Sequence, residues 1–215
     1  MMDLKPHASL TNALTVLLKL TIVVTGLAIL IGFYEFYAYS TFAADVVVDD
    51  LLPADIISGL TGLVQFGLVL ATNIIFFWWV HRSNTNLRAL SGESLEFTPG
   101  WSVGWFFVPF ANLWKPYQVM KEIWQVSHRG ATDVQPVVVW WVLYLVSSAL
   151  GRVAFRYTMG ANDAGGYATA SVIFIISDAV DVVLSIAELI MVTRIGVAYT
   201  QNFDETATEW LNSFD

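Results

Sequence analysis

Residues 97–125 read FTPGWSVGWFFVPFANLWKPYQVMKEIWQ, and whether this stretch crosses a membrane decides between four spans and five. It is apolar and aromatic enough to enter a bilayer, yet Pro109 and Pro116 interrupt it, with Asn112 and Lys115 beside them. A spanning helix needs about 20 apolar residues. Residues 101–114 supply fourteen before Lys115, with a proline inside. The block, taken as 99–127, therefore reads as a re-entrant or interfacial Pro-broken helical segment. Were it helical through Pro109, the carbonyl of Trp105 would lose its donor, and Asn112 is a side chain able to satisfy such groups. After Pro116, Tyr117, Met120, Ile123 and Trp124 recur at helical spacing, which predicts an amphipathic helix on the cytoplasmic face. Lys115, Lys121 and Arg129 would then meet anionic headgroups. Trp101, Pro109, Asn112, Trp114, Lys115 and Pro116 are the candidate residues of the block. Two readings stand: a half-inserted gate or ligand floor, and a bent plug that anchors the bundle.

The rest of the chain supplies the membrane context. Of 215 residues, 56% are hydrophobic and 13% charged, where a soluble domain carries roughly 25% charged residues. This predicts an all-α integral membrane protein. With no cysteine, disulfides, thiolate metal sites and cysteine nucleophiles are excluded. A net charge of -8 argues against a nucleic-acid partner. Four further segments are long enough to cross: about 14–37, 56–80, 134–157 and 168–198. Together they read as one four-span membrane domain over 1–200, followed by an acidic cytoplasmic tail at 201–215. The first span is too long for a secretory signal, and Thr41-Phe42-Ala43 is a poor cleavage site.

Positive residues set orientation. Lys5, Lys19, Arg82, Arg88, Lys115, Lys121, Arg129 and Arg194 fall on one side if the block does not cross. The opposite loops, 44–55 and 158–167, hold no Lys or Arg but contain Asp45, Asp49, Asp50, Asp55 and Asp163. Both termini are thus expected to be cytoplasmic, in a cell inner membrane. Trp78-Trp79, Trp140-Trp141, Trp114 and Trp124 read as interfacial anchors and packing residues.

FWWVHRSNTNLRAL at 77–90 and the string built from Pro99-Gly100-Trp101, Pro109, Ala111-Asn112-Leu113-Trp114 and Pro116-Tyr117 carry a family signature. So does the end of span four, 190–201, with Arg194 and Ile195. On these residues the chain resembles a bacterial membrane family catalogued as domain of unknown function 4328, over about residues 10–201. The resemblance implies the fold and topology and brings no activity with it.

Span four carries Asp178, Asp181, Ser185 and Glu188 at i, i+3, i+7 and i+10, within an arc of about 80° on one helix face. A charge at the bilayer centre costs about 2.5–3.5 kcal/mol on insertion scales, so these acids should face protein. With a rise of about 1.5 Å per residue, Arg152 on span three and Asp178 lie at comparable depth, about 10 and 8 Å from the midplane, and can pair. Asp178, Asp181 and Glu188, with Asn73 and Arg152 as partners, are the candidate ligand or ion path. The alternative is a set of interhelical pairs that fixes register. His7, His81 and His128 are scattered, and no HExxH, GxSxG or P-loop occurs. No cofactor, metal or catalytic residue is assigned. The sequence points to a binding or accessory module with a membrane-protein or homo-oligomeric partner, and secondarily to a small-solute or proton channel or transporter.

Overall fold

The computed structural model describes residues 8–42, 53–91 and 95–212, with side chains up to residue 89 in the second segment and 201 in the third. Lys5, His7, Asp45, Asp49, Asp50 and Asp215 lie outside the described residues, as do the side chains of Asp204, Glu205 and Glu209. The elements are α1 (Ala8–Ser40), α2 (Pro53–Ser91), α3 (Pro99–Gly104), a short 3-10 turn (Ala111–Leu113), α4 (Lys115–Ser127), α5 (Gln135–Gly160) and α6 (Ala164–Asn212). No strand occurs among the described residues. Four helices are long and apolar enough to cross a membrane, and the 97–125 block supplies none of them. The longest helix in that block has 13 residues.

Helix starts follow the local chemistry. Pro53 opens α2, where its missing N–H is harmless, and Asp55 sits in the first turn against the positive helix end. The Thr98 hydroxyl accepts from Trp101 N at the head of α3, just before Pro99. Asp133 accepts from Gln135 N ahead of α5, and Asp163 from Gly166 N at the start of α6. Two helices overrun their expected ends: α2 continues through the polar run 81–91, and α6 carries on through 201–212 of the acidic tail.

The chain divides into two compact units, and α1, α2, α5 and α6 each contribute residues to both. The first comprises 1–16, 72–141 and 187–215; the second comprises 17–71 and 142–186. Trp79, Trp140 and Trp141 do not act as interfacial anchors. They are buried in the first unit, where Phe76 packs against Trp79, Phe106 and Trp140. Interlocked rings bury more apolar area than a belt position would. Trp78 and Trp114 remain exposed. In the second unit, Gly32 lets α1 approach Ile175, and Tyr39 stacks on Tyr167 at 5.0 Å.

Candidate functional site

The 97–125 block folds entirely within the first unit. Its first helix stops at Gly104, so no helix runs through Pro109 and the conditional loss at the Trp105 carbonyl does not arise. The chain reverses instead at Phe110, whose φ of 64° and ψ of -49° put a bulky residue in a left-handed conformation. Ala111 N donates to Pro109 O at 2.8 Å, which closes a three-residue γ-turn of the rare, strained kind. Around it, Trp105, Phe106, Phe107, Asn112, Leu113 and Trp114 all donate their N–H groups to carbonyls inside the block. The turn is thus nearly self-sufficient in hydrogen bonds while exposing Phe107, Phe110, Leu113 and Trp114. Trp101 is also exposed, Asn112 is half-buried, and Asn112 N bonds Val108 O. The Trp141 indole ties the turn to α5 by donating to Leu113 O at 3.2 Å.

The helix after Pro116 forms as its periodicity predicts, but its apolar face does not lie against headgroups. Val119, Met120 and Ile123 are fully buried and Trp124 nearly so, under protein of the first unit. Pro116 is buried with them. Lys115 is likewise committed within the protein. Its ammonium lies 3.9 Å from Glu96 and over the rings of Phe97 and Trp105, where ring quadrupoles attract it.

The entry to the block is clamped from both sides. Arg88 on α2 donates to Leu95 O and Phe97 O, both at 2.6 Å, and to Asn84 Oδ1. The Asn84 amide donates to Phe97 O at 2.9 Å. From α4, the Glu122 carboxylate accepts from Glu96 N and Phe97 N. Burial pushes the Glu122 carboxyl above its ordinary value. The two amide N–H groups oppose that shift, the Glu96 charge adds to it, and Arg88 opposes it.

The span-four acids divide between the units. In the second, Asp178 accepts from the Gln65 amide at 3.2 Å and Asp181 from the Ser147 hydroxyl. Two more carboxylates there have neutral donors: Glu35 accepts from Ser171 at 3.2 Å and Asp55 from Tyr39 at 2.6 Å. Glu188 belongs to the first unit. Arg152 does not pair with Asp178 among the described residues. Its side chain is exposed on α5, as is that of Arg156. Asn73 is exposed on α2 and belongs to the first unit. Gln65 and Ser147 were missed in the sequence, although Gln65 and Asn73 are the only amides in the charge-free run 56–80. Among the described residues, no three His, Asp or Glu side chains converge as a metal-binding group.

The family model for Domain of unknown function (DUF4328) matches residues 44–196. The chain belongs to that family. The matched range contains the clamp, the γ-turn block and the carboxylates of α6 up to Glu188. No curated protein and no solved structure matches the chain.

Proposed function

We propose that this DUF4328 chain is a binding or accessory module of the cell inner membrane, with both termini cytoplasmic and the 99–127 block dipping into the membrane without crossing it. The observation that carries the reading is Arg152, exposed on an apolar helix and without an ion pair among the described residues. An intramembrane arginine is tolerated where an acid, a carbonyl or water meets it. An acidic group on a partner membrane protein, or on a second copy, fits that need. The exposed Phe107, Phe110, Leu113 and Trp114, on a turn whose N–H groups are mostly satisfied internally, support insertion of the block. The one-sided distribution of Lys and Arg supports the orientation.

A photo-crosslinker placed at position 152 in native membranes tests the docking. Adducts to another polypeptide are expected from 152 and not from Leu63, an exposed apolar position on α2. Lipid adducts alone from both positions would exclude the docked partner.

A second reading has its own support. Among the described residues, Asp178 and Asp181 hold only neutral donors, which leaves their charge uncompensated and available to a proton or cation along α6. Flux in proteoliposomes separates the two readings: transport lost in Asp181→Asn favours the path, and no flux above empty vesicles favours the accessory module.

A further inference from the structure

In the first unit, His128, Thr193, Arg194, Val197, Ala198 and Gln201 line an open cleft of about 300 Å3. Its polar groups are of two kinds. The Thr193 hydroxyl is already spent on Leu189 O and Ile190 O, so it has no hydrogen to give a ligand. Arg194 is exposed and makes no hydrogen bond or ion pair among the described residues. Its guanidinium keeps a full fork of donors, a geometry that matches phosphate oxygens two at a time.

His128 is held in place for the same cleft. Its ring stacks on Trp124 at 4.1 Å, and Nδ1 lies 2.9 Å from both Trp124 O and Ser127 Oγ. A carbonyl only accepts, so Nδ1 carries the hydrogen in that contact, and Nε2 is the uncommitted nitrogen. Ser127 is buried, so the ring is braced from within the fold. The Gln201 amide adds donors, while Val197 and Ala198 provide an apolar floor.

We infer that this cleft binds a phosphate-bearing anion, with the Arg194 guanidinium as its principal contact and the Gln201 amide as a secondary one, while the braced His128 ring forms a wall of the cleft. The apolar floor and the position of residues 193–201, where span four ends, suit the phosphate of a phospholipid headgroup. Free phosphate offers the same oxygens, and the experiment distinguishes the two sources.

The full chain in neutral detergent is titrated with phosphatidylglycerol and, separately, with inorganic phosphate. Thermal stability and lipid adducts in native mass spectrometry are the readouts. Arg194→Gln is expected to weaken binding of the effective probe about tenfold, the equivalent of one charge-assisted hydrogen bond. Arg156→Gln, an exposed arginine of α5 outside the cleft, should leave binding unchanged. Response to phosphatidylglycerol alone identifies the headgroup, and response to both probes identifies the phosphate itself. A response to neither, or equal losses in Arg194→Gln and Arg156→Gln, overturns the inference. Because Arg194 is exposed, Arg194→Gln should melt with the wild type when no probe is present, so a binding loss is not a folding loss.

Discussion

Arg88 and Glu122 in the first unit and Asp178 and Asp181 in the second are all ionisable groups in an apolar chain, yet they are used differently. Arg88 spreads its guanidinium over two backbone carbonyls and one amide oxygen, and Glu122 takes two backbone N–H groups. Each closes several hydrogen bonds, and between them residues 95–97 are fixed from both edges. Asp178 and Asp181 receive one neutral donor each. A carboxylate has about four acceptor sites, so these two are only partly satisfied. The first arrangement is what a structural clamp requires. The second leaves capacity for a further ligand or proton, which is why the functional alternatives attach to the second unit and the stability arguments to the first.

The comparison breaks most sharply at Arg88. Arg88→Ala removes three charge-assisted bonds and leaves the Leu95 carbonyl without its Arg88 donor, so a loss of about 3 kcal/mol is expected. Thermal melts in detergent should fall by several degrees, with faster proteolysis near residues 92–98. If the variant melts with the wild type, the clamp is not what holds the block.

Glycine packing sharpens the same contrast. A Cβ on Gly196 would sit 2.8 Å from Thr11 Cγ2, and Thr11 cannot swing freely because its Oγ1 accepts from the Trp79 indole at 3.0 Å. Gly196→Ala should therefore destabilise by about 1–3 kcal/mol through overpacking. In the second unit, a Cβ on Gly32 would meet Ile175 Cγ1 at 2.9 Å and Cδ1 at 3.5 Å. Ile175 has no polar tether of the kind that holds Thr11, and helix propensity favours alanine by about 1 kcal/mol, which offsets part of the clash. Gly32→Ala should cost less than Gly196→Ala in the same melts; equal losses at both positions would erase the distinction.

How far the sequence reveals this molecule depends on the kind of partner each residue takes. The four long helices are legible because length and hydropathy are summed over many residues. The break in the 97–125 block is legible because its apolar run ends at Lys115 short of a span's length, with Pro109 inside it and Pro116 just after. The clamp is not: Arg88 and Glu122 bind backbone groups of 95–97, and backbone groups leave no signature in residue identity. For the same reason the span expected at 56–80 does not reveal that the helix continues through 81–91 with Ser83, Asn84 and Asn86 buried. The span-four acids are visible by their spacing, but Gln65 and Ser147 become their partners only through tertiary packing. The Arg152–Asp178 pairing fails because matching depth does not fix rotation about the helix axis, and Arg152 faces outward.

Glu122 supplies a pH test of the clamp. Burial is the main reason its folded carboxyl titrates above the ordinary value of 4.5. The folded state then keeps a proton that the unfolded chain releases. Its contribution is fully present below about pH 4.5 and is lost as pH rises through the folded value. Wild-type melting temperature, taken relative to Glu122→Gln, should therefore decline across that window and level off above it. A relative rise would mean that the two amide donors outweigh burial. At constant high pH, Glu122→Gln itself should cost about 1 kcal/mol, since one strong acceptor is lost.

The smallest expected change in stability is the most informative about function. Asp181→Asn keeps an oxygen that can accept from Ser147, so melting should shift by no more than about 0.5 kcal/mol. Ser147→Ala removes the donor and should cost about 1 kcal/mol. If Asp181 were a structural member like Arg88, the amide would not substitute for the carboxylate, and Asp181→Asn would melt lower than Ser147→Ala. If Asp181 holds its charge in reserve, Asp181→Asn folds like the wild type, and any defect in flux or partner capture arises from the lost charge alone.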